Sequence, residues 1–263
     1  MTVWLVTGGH PFERDPLLDA LAGLHGVDSG EIEHLEQPEA LDRIRPGRVG
    51  DDVGAIVFYD MPGLRFTRGD PPVEFIDPPD GYVAGLRRLL ADGVGMVFLH
   101  HAIASWPTSP DFAELVGGRF HYQPGELAGT AYPDSGYVFD VTHTVDVVDL
   151  DHPVCAGLPS SFELTDELYL FPTLPGVVPL MRTRHDVTST AGFSSADLAV
   201  RGRRNSSDGW THPPGSDLVA WTRDPDEVGG RLVYLQFGDG PVTYADPTFR
   251  HVLANAIGWV RGA

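Results

Sequence analysis

Met96-Val97-Phe98-Leu99-His100-His101-Ala102-Ile103-Ala104-Ser105-Trp106-Pro107 is the stretch on which the fold turns. Its first four residues are apolar without a break, too short a run for a helix, and two imidazoles follow where such a strand must end. A strand that is apolar on both faces is covered on both faces, which is the mark of a parallel sheet held between helices. Toward the N-terminus the same alternation recurs. Gly81–Leu90 reads as a helix. Ala55-Ile56-Val57-Phe58-Tyr59 reads as a strand ending at Asp60, and Pro38–Ile44 as a short helix. Ile32–Leu35 is a weaker strand. Asp15–Leu24 places Leu17, Leu18, Leu21 and Leu24 at helical spacing, and Val3–Val6 is a first strand ending at Thr7-Gly8-Gly9-His10. The order β-α-β-α-β-α-β predicts an α/β protein: an open, doubly wound, mostly parallel sheet in three α/β/α layers.

Toward the C-terminus the pattern loosens. Tyr137–Leu150, Val177–Arg182, Leu218–Thr222 and Leu232–Phe237 read as strands, and Phe249–Val260 as an amphipathic closing helix. No stretch has the composition of an interdomain linker. The expectation is one domain over 1–263, with surface excursions at the proline-rich 62–80 and the Ser/Arg/Gly-rich 183–215.

Composition narrows the chemistry. The formal net charge is −19, so phosphate backbones and anionic lipid surfaces are repelled, and neither nucleic acid nor membrane is expected as a partner. A neutral sugar is compatible with such a surface. All 18 basic residues are Arg, which excludes a lysine Schiff base and a P-loop lysine. Cys155 is the single cysteine; it rules out an internal disulfide, sits in no strand elbow and is expected to be buried filler. With neither a basic leader nor a long apolar run, a cytoplasmic protein is expected.

Open α/β sheets bind ligands at the carboxyl ends of their strands. The residues there are His10, Asp60 with its neighbour Tyr59, the His100-His101 pair, and Asp239 after the last strand. Histidine both accepts and donates protons near neutral pH, so His100 and His101 are the first candidates for catalysis. Asp60 could orient a histidine or bind hydroxyls. In Asp166-Glu167-Leu168-Tyr169, two carboxylates precede a tyrosine, a combination suited to acid/base work with Glu167 or to sugar recognition. Trp106 and Tyr169 could stack on a sugar face. No cofactor is expected. Nitrogen and oxygen donors leave a divalent metal open, although no His-Glu-x-x-His or His-x-His pair is present.

Several motifs in order resemble the ThuA-like family of trehalose-utilisation proteins, within the class I glutamine amidotransferase-like superfamily. They are Thr7-Gly8-Gly9-His10-Pro11-Phe12, Val57-Phe58-Tyr59-Asp60-Met61, Leu99 through Pro107, Gly117-Gly118-Arg119-Phe120, His152-Pro153, Asp166-Glu167-Leu168-Tyr169 and Asn255-Ala256-Ile257-Gly258-Trp259. The resemblance implies a flavodoxin-like fold and a role in carbohydrate metabolism, alongside a sugar oxidoreductase that makes keto-sugars. It argues against glutamine hydrolysis, because His100-His101 stands where amidotransferases keep their cysteine. The family often has Gly-His after the last strand, where this chain has Gly238-Asp239. The expected activity is acid/base catalysis on a keto-sugar or keto-glycoside, with His101 transferring the proton, His100 polarising the carbonyl and Asp60 or Glu167 assisting. His10, Tyr59, Trp106, Tyr169 and Asp239 would bind substrate. The alternatives are a non-catalytic sugar-binding or regulatory subunit and a metal-assisted hydrolase.

Overall fold

The computed structural model describes residues 1–67, 69–224 and 229–262. In chain order its elements begin with β1 (Thr2–Gly8), α1 (Arg14–Ala22), β2 (Ile32–Glu36), α2 (Glu39–Arg43), β3 (Val53–Asp60) and a hairpin, β4 (Leu64–Phe66) with β5 (Val73–Phe75). Next come α3 (Tyr82–Ala91), β6 (Gly95–Leu99), α4 (Pro110–Val116) and a second hairpin, β7 (Gly125–Leu127) with β8 (Thr130–Tyr132). The second half contains β9 (Gly136–Val147), β10 (Ser161–Leu170), β11 (Val178–Thr183), β12 (Ser194–Ser195), α5 (Ala196–Val200) and β13 (Leu218–Arg223). It closes with β14 (Leu232–Leu235), α6 (Pro241–Ala245) and α7 (Pro247–Val260).

One large sheet runs in the order β10-β9-β11-β13-β14-β6-β3-β1-β2, with β12 added on β9. From β14 to β2 every pairing is parallel. Beyond β14 the pairings become antiparallel, yet of these strands only β13 and β9 point against the rest. The sheet therefore has the expected direction, flanked by helices on both faces. Strand β3 shows why: Ala55, Val57 and Tyr59 enter one core with α1 and α7, while Ile56 and Phe58 enter the other with α3 and α4. Successive side chains on a strand alternate faces, so a wholly apolar strand feeds both layers. Fully burying Phe98 alone, stacked on Phe58 at 4.6 Å, is worth roughly 1.5–3 kcal/mol. Helix α7 is fixed at its start by the Asp246 carboxylate, which accepts from the Thr248 and Phe249 amides at 2.7 and 3.0 Å.

Both expected excursions turn out to be structured. Residues 62–80 form the β4–β5 hairpin, with Arg68 outside the described residues. The stretch 183–215 is not simply an exposed loop: Ser194 and Ser195 pair with Tyr137 and Gly136, and Val187, Phe193 and Ala196 are buried. Strand β9 carries a bulge. Between Asp166 and Leu168 the partner on β9 moves from Val141 to Val138, so β9 holds one extra residue, and Asp140 there has φ 51°. The bulge lies at the level of the site. Among the described residues, no helix is long and apolar enough to cross a membrane.

Candidate functional site

The parallel strands end on one edge, and the bulged β9 and β10 carry side chains to the same place. Between them lies a cleft of about 830 Å³, in the upper part of the range of roughly 300–1,000 Å³ usual for small-molecule sites. Glu167, Asp239 and His10 reach it, with the aromatic rings of Phe120, Tyr122, Tyr137 and Tyr169 on its walls. Phe66, Phe139 and Val242 stand exposed at its margin. Residues of α5 and the following turn, Ala196, Ala199, Val200 and Arg204, complete the wall.

His100 lies directly beneath. It follows β6 with φ 50°, a left-handed conformation that a non-glycine residue adopts only when its surroundings hold it there. The ring is wholly buried. Nδ1 lies 2.6 Å from the Gln236 carbonyl, which can only accept, so Nδ1 carries a proton and donates it. Nε2 then faces Glu167 Oε2 at 3.0 Å, Asp239 Oδ1 at 3.4 Å and the Tyr169 hydroxyl at 2.8 Å. Burial alone would drive the imidazole to its neutral form. The hydrogen bonds and charges of Asp239 and Glu167 outweigh it and hold the pKa well above the usual value. Burial raises the Glu167 carboxyl, partly offset by His100. Asp239 is also penalised by burial, but its bond to His100 leaves it below the ordinary range.

Asp166 holds this arrangement together. Its carboxylate accepts from the amides of Gly238 at 2.7 Å, Asp239 at 3.1 Å and Glu167 at 2.9 Å. It thus fixes the backbone of both carboxylates that meet on His100. Gly238, at φ 114°, supplies the turn that brings Asp239 round, a conformation costly for any side-chain-bearing residue. Asp166 and Glu167, adjacent in sequence and both on the cleft wall, are therefore divided in use: one is spent on amides, the other on His100. His100, Glu167 and Asp239 together could hold a metal ion, with one donor atom from each and all three within 4.8 Å of one another.

The remaining predicted residues separate. His101 is buried under His10, their rings 4.5 Å apart, and against Tyr59 at 4.3 Å. Its Nε2 lies 3.3 Å from the Tyr59 carbonyl, and its Nδ1 has no hydrogen-bond partner among the described residues. Burial, and the charges of His10 and His100, push its pKa well down. Neither histidine of the pair lines the cleft; His10 does. His10 Nδ1 is buried without a hydrogen-bond partner among the described residues. Burial dominates there and lowers the pKa, against the neighbouring Pro11 backbone, which favours the charged ring. Tyr59 is wholly buried and donates to the Gly238 carbonyl at 2.7 Å, tying β3 to the turn that carries Asp239. Asp60 is sealed behind this layer, accepting from Gln37 Nε2 at 2.6 Å, and burial raises its pKa to about 7. Trp106 packs in the core against Tyr82 at 5.6 Å and lies outside the cleft. Cys155 is buried away from the cleft, its thiol pushed up to about 11 by burial.

Sequence reading misses the aromatic walls Phe120, Tyr122 and Tyr137, the margin residues Phe66 and Phe139, and the wall supplied by α5. Gly118-Arg119-Phe120 stands out as a motif, but only the tertiary fold turns Phe120 toward Tyr169, with ring centroids 4.7 Å apart.

A family profile described as trehalose utilisation, ThuA, matches residues 76–260, a span that contains His100, Glu167 and Asp239 but not His10 or Asp60. Among solved structures, a ThuA-like protein from Parabacteroides merdae is similar over 99% of this chain and 90% of its own, at 16% identity and TM-score 0.65. A ThuA-like protein from Bacteroides uniformis is similar over 98% of this chain and 91% of its own, at 16% identity and TM-score 0.55. PurLQS from Thermotoga maritima is similar over 98% of this chain and 99% of its own, at 10% identity and TM-score 0.52. At such identities the likeness is one of fold. No curated protein sequence matches the chain.

Proposed function

The chain belongs to the ThuA family, and from that premise we propose that it converts a carbohydrate, a keto-sugar or keto-glycoside, by proton transfer at the floor of its cleft. The observation that carries this reading is the convergence of one imidazole, His10, and two carboxylates, Glu167 and Asp239, on a single cleft walled by aromatic rings. Aromatic faces suit the C–H face of a sugar, and carboxylates suit its hydroxyls. A ring carbonyl acidifies the adjacent C–H, so one positioned base starts either isomerisation or loss of the glycosidic substituent. The family name supports a carbohydrate role, and a sugar oxidoreductase is the partner whose chemistry would supply the keto group.

In this scheme the proton-transfer role passes from His101 to His10, because His101 lies beneath His10 and cannot reach a substrate. His101 and Tyr59 become positioning residues, stacked behind His10. Tyr169 and Tyr122 hold the sugar; Asp60 and Trp106 act only through the scaffold.

The test is a panel of keto-sugars, keto-glycosides and their unoxidised parents. Turnover is expected with a keto compound and not with its parent. On the substrate converted, His10→Ala is expected to lower kcat by about 10²–10⁴-fold while KM stays within a few-fold. Binding without turnover across the panel would replace the enzyme by a sugar-binding subunit. An unchanged kcat in folded His10→Ala would remove His10 from the chemistry.

A further inference from the structure

We propose that His100 Nε2, Glu167 and Asp239 form a binding site for one divalent first-row transition cation, open toward the cleft. The inference stands on the arrangement of donor atoms and not on any substrate. Because Nδ1 of His100 donates to the Gln236 carbonyl, Nε2 is the atom turned to the carboxylates, and a cation arriving there displaces the Nε2 proton and takes the lone pair that held it. That lone pair faces carboxylate oxygens at 3.0 and 3.4 Å. Acceptors brought together in a buried place require a positive charge between them. A proton on Nε2 bonds Glu167 at 3.0 Å and leaves the Asp239 contact long at 3.4 Å, while the Tyr169 hydroxyl, 2.8 Å from Nε2, supplies one further donor. A cation serves all three donors at once.

The spacing fits. Ligands at about 2.0–2.2 Å from a metal lie about 3.0 Å apart at 90° and about 3.4 Å apart at tetrahedral angles. The surroundings also fit what a metal site needs. Metal-bound histidines give their other nitrogen to a carbonyl or carboxylate, as His100 does. Asp166 fixes the backbone amides of both Glu167 and Asp239, so the two carboxylate ligands are held before any ion arrives. Asp166, Glu167 and Asp239 have no arginine bonded to them among the described residues, so three carboxylates stand against one imidazole. His100 closes the site from beneath, while Glu167 and Asp239 reach the cleft, leaving coordination positions on the open side for water or a sugar oxygen. One nitrogen and two carboxylate oxygens favour Zn²⁺, Mn²⁺ or Fe²⁺ over Ca²⁺, which takes six to eight oxygens. A cation there would polarise a ring carbonyl, and His10 would remain the proton carrier.

The test uses the full chain, dialysed against chelator and then titrated with ZnCl₂ and separately with MnCl₂ by calorimetry. Metal content is measured after gel filtration. One equivalent is expected, with CaCl₂ giving at least 100-fold weaker binding. Glu167→Gln and Asp239→Asn keep shape and hydrogen bonding, relieve carboxylate crowding and should fold; each is expected to weaken binding at least 100-fold. Asp140→Asn, on the cleft wall outside the cluster, is expected to bind as wild type. Binding that survives both cluster variants would place the ion on other histidines and overturn the site, as would folded wild type that binds neither ion. The readout needs no substrate, so loss of the sugar reading leaves it standing, and its own failure leaves the sugar reading to the substrate panel.

Discussion

The carboxyl ends of β3 and β6 are neighbours in the sheet, and both deliver acid/base side chains, yet they meet opposite fates. At β3 the edge is closed. The Met61 amide donates to the Gly8 carbonyl at 2.8 Å, and the Trp106 amide to the Pro62 carbonyl at 2.8 Å, so the loops after β1, β3 and β6 seal over Asp60. Gly9 sits so close to the Met61 carbonyl that a Cβ would lie 2.3 Å from it. At β6 the next strand across is β14, after which the pairings turn antiparallel and β9 bulges; here the cleft opens above the buried His100, reached by Glu167 and Asp239 that bond it. The strand-end rule therefore locates the level of the cleft, and the connection pattern decides which strand end opens into it.

The largest effect that could break this contrast is in pH-dependent stability, and it belongs to the closed end. Asp60 ionises near its ordinary 3.8 when unfolded and at about 7 when folded, because burial disfavours the carboxylate. The folded state thus holds the proton more tightly, and this group's contribution is fully present below about pH 4 and is lost as pH rises toward 7. By linkage the loss is roughly 3–4 kcal/mol. Asp60→Asn is expected to flatten the stability curve between those limits and to raise stability at pH 8, since Gln37 Oε1, which has no partner among the described residues, can accept from the new amide. Chemical denaturation at pH 4 and pH 8 measures it. A wild-type slope retained in the variant would mean that Asp60 is not sealed. Turnover, once a substrate is known, should change by no more than a few-fold.

A smaller effect probes the open end. Gly238 holds φ 114° where its amide meets Asp166, whereas Gly240 two residues on is extended at φ −162°. Space is not the constraint at Gly238, since a Cβ would meet Leu99 at an ordinary 3.4 Å. The cost of Gly238→Ala is backbone strain, about 1–3 kcal/mol, read as a Tm drop of several degrees. Gly240→Ala should be nearly neutral. Equal Tm values for the two variants would show that the turn carrying Asp239 is not held in the left-handed region.

Much of this contrast is legible in the amino-acid sequence alone. Apolar runs mark the strands, helical spacing marks α1, α3 and α7, and the strand ends mark His10, Asp60, His100 and Asp239 as a set. Long-range order is not legible there. Nothing local says that His101 slides under His10, that Asp166 is spent on the amides of a distant turn while Glu167 is not, or that 183–215 returns to wall the cleft. Phe66, Tyr122 and Phe139 escape for the same reason: they lie in a hairpin, the connection before β7 and a bulge, whose placement depends on partners distant in sequence.

The smallest effect concerns the residue that an amidotransferase-like fold brings first to mind. Cys155 lies in a buried turn packed against α7, with its sulfur 4.0 Å from the Leu180 carbonyl and no place on the cleft. A nucleophilic cysteine needs an electropositive, accessible setting that lowers its pKa. Here burial raises it to about 11, with Asp149 adding to the rise, so the thiolate is nearly absent at neutral pH. Cys155→Ala removes one buried sulfur from a packed core and is expected to cost about 1–2 kcal/mol. Thiol-directed alkylation of the native protein should be slow and should leave sugar turnover and cation binding unchanged. Rapid modification, or a folded Cys155→Ala variant without activity on a substrate that the wild type converts, would move the chemistry away from the β6 edge.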